Sequence, residues 1–131
     1  MTRRELREQT FRVLFEAEFY DASEMPHQVE IYAETEGGWD EKGGEYISRK
    51  CEDIVAHLAE IDAAINGVAE GWKTGRMGKV DLTLLRLAVY EMKYEEDVPV
   101  GVAINEAVEL AKKYGSDDSS AFVNGILAKL V

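Results

Sequence analysis

The residues able to do acid–base, nucleophilic or metal chemistry are few and scattered. The chain has two histidines, His27 and His57, and one cysteine, Cys51. No Cys/His pair has zinc-ligand spacing, and no glycine-rich phosphate loop follows a strand-like run. His57 lies beside an apolar helical stripe and His27 in a loop or first turn, positions that suit packing or solvent better than ligation. Cys51 cannot form an internal disulfide and falls at an apolar-periodic position, so it reads as a buried, reduced thiol. Carboxylates are plentiful, but on an acidic chain a pair at i, i+4 is a solvated face, and nothing nominates a general acid and base. The sequence therefore argues against an enzyme, and calls for no cofactor and no metal. What remains chemically distinctive is the placing of the basic residues: Arg3, Arg4 and Arg7 at the start, and Lys73, Arg76 and Lys79 in the middle.

The net charge of -11 opposes nucleic acid, since phosphate binding normally leaves a basic footprint. Its distribution softens the objection. Residues 1–15 carry four arginines against two glutamates, residues 16–70 hold fifteen acids against three bases, and residues 72–131 are nearly balanced. A basic arm beside an acidic middle implies a polarised surface, only one side of which could meet RNA.

The elements that must position these residues all read as helices. Leu6, Thr10, Val13, Leu14 and Ala17 share one face of a helix running to about Tyr20, widened by Phe11, Phe15 and Phe19. Pro26, after Ser23 and Glu24, opens a short second helix through Tyr32, which the glycine-bearing run TEGGWDEKGG ends as a mobile loop. Ile47, Cys51, Ile54, Val55 and Leu58 mark a third. Ile61, Ile65, Val68, Ala69 and Trp72 mark a fourth, after a break near Glu60 and Asp62. WKTGRMGKVD reads as an exposed basic loop, and Asp81 as the N-cap of the most apolar helix, Leu82, Leu85, Ala88, Val89 and Met92, ending near Tyr94. Val100, Ile104, Ala107, Val108, Ala111 and Tyr114 give the next, stopped at Gly115. SDDSS then offers caps for a last helix with Val123, Ile126, Leu127 and Leu130 inside. Seven helices with mostly short loops make an all-α, bundle-like fold, and 131 residues suffice for one core. No stretch reaches the roughly 20 apolar residues of a membrane span, so a soluble cytoplasmic protein is expected.

The C-terminal third carries a resemblance. DVPVGVAINEAVELAKKYGSDDSSAFVNGIL, Asp97 to Leu127, closely resembles the signature of the NusB family, and VDLTLLRLAVYEM, Val80 to Met92, resembles the helix before it. The likeness continues more weakly through the GW before the basic loop and through RRELREQTFRVLFE at the start, with residues 20–50 the least similar. It implies a seven-helix bundle in two small helical subdomains forming one compact domain, 1–131. It also implies a transcription antitermination factor that binds the boxA element of ribosomal RNA leader transcripts as a heterodimer with the ribosomal protein NusE. That pair would join a complex on RNA polymerase that reads through terminators.

By the same resemblance, the family's arginine-rich motif falls on Arg3, Arg4 and Arg7, whose guanidinium groups would contact phosphates and stack on unpaired bases. Glu5 interrupts the run, so RNA binding is expected to depend on the partner. Tyr114, Asp118 and Phe122 match positions near the family's RNA surface, where aromatics could stack on bases and Asp118 could accept from a base edge or cap the last helix. Phe122 and Tyr114 also suit burial, and Asn124 and Gly125 suit backbone geometry or packing. The partner surface is implied at Arg76, Asp81 and Arg86, with Phe15 nearby. Homodimers that cover the RNA surface occur in the family, and the apolar first helix is compatible with one. Two other readings stay open: the N-terminal domain of an S-adenosylmethionine-dependent rRNA cytosine methyltransferase, which a chain complete at Val131 would rule out, and a protein-interaction module with weak RNA binding.

Overall fold

The computed structural model describes residues 1–17, 22–71 and 73–131. Phe19 and Trp72, expected on helical stripes, and Tyr20, the expected end of the first helix, lie outside them. The described residues hold seven α-helices and no strand: α1 (Arg3–Ala17), α2 (Met25–Tyr32), α3 (Glu41–Ala56), α4 (Leu58–Val68), α5 (Lys79–Tyr94), α6 (Val100–Tyr114) and α7 (Ser119–Ala128). The all-helical expectation is met. They fall into two compact units, Met1–Ala56 and His57–Val131.

In the first unit α1 begins at a side-chain N-cap, Thr2. Thr2 Oγ1 accepts the Glu5 N–H at 3.0 Å and donates to Glu5 Oε1 at 3.1 Å. Glu5, the residue that interrupts the arginine run, is therefore the partner of the helix cap. α1 packs on α3 and α2, burying Phe11, Val13 and Leu14 with Met25, Val29, Ile47, Cys51 and Ile54. Thr10 is fully buried because its hydroxyl donates to the Leu6 carbonyl at 2.7 Å, removing the cost of an unpaired polar group. Pro26 occupies the first turn of α2, as expected.

The glycine-bearing run is not the loop its composition suggested. A π-type turn, Ala33–Gly37, prolongs α2, Gly38 reverses the chain at φ +58°, and α3 starts at Glu41, so Gly43 and Gly44 are helical. Asp40 Oδ1 accepts the Gly43 N–H at 2.7 Å, a cap that offsets the poor helix propensity of two glycines. A Cβ at Gly43 would come within 2.9 Å of both Asp40 Oδ1 and Met1 Sδ, so a larger residue there would have to displace the capping carboxylate and the Met1 side chain.

In the second unit α5 packs against α4, α6 and α7. Leu82 to Leu85 and Leu87 to Glu91 are all buried, Thr83 and Glu91 among them, the pattern of a central helix enclosed on most sides. The break between α3 and α4 comes at His57 rather than near Glu60 and Asp62; its ring centroid lies 4.4 Å from that of Tyr94 and 6.5 Å from that of Tyr90, an aromatic packing role. On α6 the buried face is Ala103, Ala107, Leu110 and Ala111, turned from the expected stripe so that Val100 is exposed. Small residues there let α6 lie close to α5 and α7. α6 stops at Gly115 in extended backbone, φ -94° and ψ -170°. The requirement for glycine is steric: a Cβ there would overlap the side chain of Ser119 and sit 2.8 Å from the Ala111 carbonyl. Among the described residues no helix is long and apolar enough to cross a membrane.

Candidate nucleic-acid and partner interface

The basic loop between α4 and α5 carries a single 3₁₀ turn, Thr74–Arg76, and Lys73, Arg76 and Lys79 are exposed, as expected. Gly78, extended at φ -62° and ψ 149°, is the N-cap residue of α5, whose first helical residue is Lys79. Asp81 is thus not the cap: it lies one turn inside the helix and makes no capping hydrogen bond. The chain enters α5 three residues earlier than its apolar stripe, because the stripe marks the buried face and not the first turn. A carboxylate in that turn is still favoured by the helix dipole. Asp81 Oδ1 is buried and has no hydrogen-bond partner among the described residues.

At the other end of the unit the turn from α6 to α7 brings Asp118 to the N-cap position of α7. Its side chain does not cap. Ser119 Oγ instead accepts the Ser116 N–H at 3.0 Å, closing the turn from inside and leaving the Asp118 carboxylate exposed. Phe122, one helical turn on, donates its N–H to the Asp118 carbonyl at 3.0 Å, so the two side chains share a face. Phe122 is half-buried rather than in the core.

These two ends meet. Arg76, Met77, Gly78, Asp81, Asp118 and Phe122 line one pocket of about 360 Å³. Sequence reasoning divided four of these residues between two surfaces, Arg76 and Asp81 for a protein partner and Asp118 and Phe122 for RNA; the fold puts them around one cavity. Two carboxylates can accept from amino or cationic groups, the guanidinium can hold an anion, and the aromatic ring and thioether offer a flat apolar wall.

The remaining candidates are placed differently. Arg86, on α5, forks onto Asp62 of α4, Nε to Oδ1 at 2.9 Å and Nη2 to Oδ2 at 2.8 Å, with the two side chains only 19% and 24% exposed. Its role within the fold is to tie α4 to α5. Tyr114 is half-buried at the end of α6, with Lys113 Nζ 5.5 Å from its ring centroid. In the first unit Arg3 and Arg4 are exposed at the start of α1, whereas Arg7 is buried at 8% exposure and engaged within the protein. Phe15 is half-buried beside Phe11, the ring centroids 6.2 Å apart. Gly125 is not packed upon: nothing lies within 4 Å of where its Cβ would be.

Sequence reasoning missed Met77 and Gly78 as pocket wall, and Asn66 as the residue that holds the basic loop. Asn66 Oδ1 accepts the Thr74 N–H at 2.8 Å, and its Nδ2 donates to Thr74 Oγ1 at 3.2 Å. An asparagine inside a helix, eight residues from its partner, gives no local signal. Cys51 is fully buried, and burial pushes its thiol far above the ordinary range, in keeping with an inert side chain.

Residues 4–131 match the NusB family. Transcription antitermination protein NusB of Agathobacter rectalis is 54% identical over 129 residues, 98% of each chain. The protein of the same name from Lachnoclostridium phytofermentans is 49% identical over all of this chain and 99% of its own. Among solved structures, T. maritima NusB superposes with a TM-score of 0.85 at 37% identity, covering 99% of this chain and 90% of that one. A crystal structure of the antitermination factors NusB and NusE in complex with double-stranded RNA gives a TM-score of 0.83 at 26% identity, covering 98% and 94%. Identity at this level along nearly the whole of both chains, with a closely superposing fold, means that the chain belongs to the NusB family.

Proposed function

We propose that this chain is a transcription antitermination factor that binds boxA-type RNA of ribosomal RNA leader transcripts jointly with ribosomal protein NusE, and joins an antitermination complex on RNA polymerase in the cytoplasm. The observation that carries the proposal is the pocket in which Arg76 and Asp81 meet Asp118 and Phe122, a joint suited to a ligand made of two components. Arg3, Arg4, Tyr114, Asp118 and Phe122 supply the RNA contacts. Arg76 and Asp81, with Phe15, supply the partner contacts. Arg7, only 8% exposed, and Arg86, forked onto Asp62 and mostly buried, support these surfaces from within. NusE, as a ribosomal protein, is basic, and a net charge of -11 speeds its encounter with this chain and suppresses RNA binding in its absence. The relatives matched over nearly their full length bear the antitermination name, which favours this reading over the methyltransferase one.

The test is the affinity of the chain for boxA and for a scrambled RNA, with and without NusE. Tight, boxA-selective binding by the heterodimer, and weak binding by the chain alone, is the expected result. Asp81→Lys should weaken heterodimer formation while Asp81→Asn, which keeps the side chain's shape, stays near the parent. A heterodimer without preference for boxA would overturn the RNA reading, and undiminished NusE affinity in the Lys variant would remove Asp81 from the partner surface.

A further inference from the structure

The wall of the pocket formed by Arg76, Met77 and Gly78 is a loop segment with little regular structure to hold it. Its 3₁₀ turn is one turn long, resting on two backbone hydrogen bonds, Arg76 N–H to the Lys73 carbonyl at 2.9 Å and Met77 N–H to the Thr74 carbonyl at 3.3 Å. Upstream, Gly71 takes φ +78°, and downstream the chain is extended at Met77 and Gly78 before α5 begins. A segment of this kind samples many backbone states unless something outside it fixes one.

Asn66, on the last turn of α4, supplies that constraint from a helix. Its side-chain amide meets Thr74 twice, accepting the Thr74 N–H at 2.8 Å and donating to Thr74 Oγ1 at 3.2 Å, and its backbone carbonyl accepts from Lys73 Nζ at 2.8 Å. The Thr74 N–H is one of the donors that a helical turn leaves without an internal partner at its start, so Asn66 caps the 3₁₀ turn across eight residues of sequence. The cap fixes the first residue of the turn, and with it the direction in which Arg76 leaves the backbone. The other end is fixed where α5 begins, the Leu82 N–H donating to the Gly78 carbonyl at 2.9 Å. Asn66 does not line the pocket.

We propose that Asn66 is a positioning residue for partner binding: it holds Thr74, and through it the Arg76–Gly78 wall, in the conformation the partner protein meets, without touching the partner itself. This rests on the partner surface proposed above. Ordering the loop in advance removes an entropic cost from association.

The test uses the full chain and the NusE protein, with three variants and two readouts. Asn66→Ala removes both side-chain bonds, Asn66→Asp keeps the acceptor for the Thr74 N–H, and Asp81→Lys perturbs the pocket directly. Hydrogen exchange at the Thr74 and Arg76 amides reports the hold on the loop, and titration with NusE reports affinity. Asn66→Ala should speed exchange at Thr74 and weaken NusE binding about tenfold, the scale of one or two hydrogen bonds. Its thermal midpoint should fall by only a few degrees, the scale of a lost loop tether and not of a disrupted helix. Asn66→Asp should restore most of the protection and the affinity, a rescue that a generally destabilised α4 would not give. Unchanged exchange at Thr74 in Asn66→Ala, or faster exchange with undiminished affinity while Asp81→Lys binds weakly, overturns the proposal. If Asp81→Lys also binds like the parent, the partner surface is what fails, and the exchange readout still decides whether Asn66 holds the loop.

Discussion

Two glycines close in sequence should answer the same substitution with opposite signs. Gly125 lies inside α7, exposed, with nothing within 4 Å of an added Cβ. Gly125→Ala meets no steric resistance and reduces the backbone freedom of the unfolded chain, so it should stabilise by about 0.5–1 kcal/mol. Gly115 has backbone angles open to any residue, φ -94° and ψ -170°, so its cost is steric alone. An added Cβ overlaps Ser119, which is 3% exposed and cannot swing aside without opening its 3.0 Å bond from the Ser116 N–H. Losing that cap costs about 1 kcal/mol and forcing α7 away about 1–3 kcal/mol more, so Gly115→Ala should destabilise by about 2–4 kcal/mol. Urea denaturation followed by circular dichroism measures both, and thermal midpoints should move about 3–5 °C per kcal/mol. Near-neutral stability of Gly115→Ala would refute the steric reasoning for the turn that carries Asp118. Destabilisation by Gly125→Ala would mean that the exposed face of α7 is already covered by another surface.

Other expectations follow from single contacts. A double-mutant cycle on Asp62→Ala and Arg86→Ala should give a coupling of about 1–2 kcal/mol, above that of an exposed pair because the contact is forked and partly buried; a coupling below about 0.3 kcal/mol would make the pair incidental. Replacing Arg3 and Arg4 by Ala should weaken binding of the heterodimer to boxA and scrambled RNA alike and lower the salt slope by about 0.7 per lost phosphate contact. An unchanged slope would reduce the start of α1 to a solvated face. Cys51 should resist thiol reagents until the protein opens. Because burial raises its folded-state pKa, its contribution to stability is complete below the ordinary thiol value of 9.0 and declines above it, where only the unfolded thiol ionises. Rapid native-state labelling at pH 8 would contradict its burial.

The sequence by itself determined the helical class, five of the seven helices to within a few residues, the exposed basic loop and, through Asp97 to Leu127, the family. Those are local or repeating properties: a stripe of apolar residues every three or four positions specifies a helix wherever it lies. It also held a signal that went unread, Thr2 and Glu5 at capping-box spacing, which explains why the arginine run is interrupted. The start of α3 was hidden because Gly43 and Gly44 look like loop, and the Asp40 cap on the Gly43 N–H, which supports the helical turn, lies in side-chain geometry. The burial of Arg7, the engagement of Arg86 by Asp62, the turn of α6 onto its alanine face, and the meeting of Asp81 with Asp118 and Phe122 were decided by tertiary structure alone. Charge and periodicity say which residues can bind, but an ion pair between residues 24 positions apart, or a pocket lined by residues 37 apart, depends on how helices pack, and helix packing is settled by the shapes of many side chains at once.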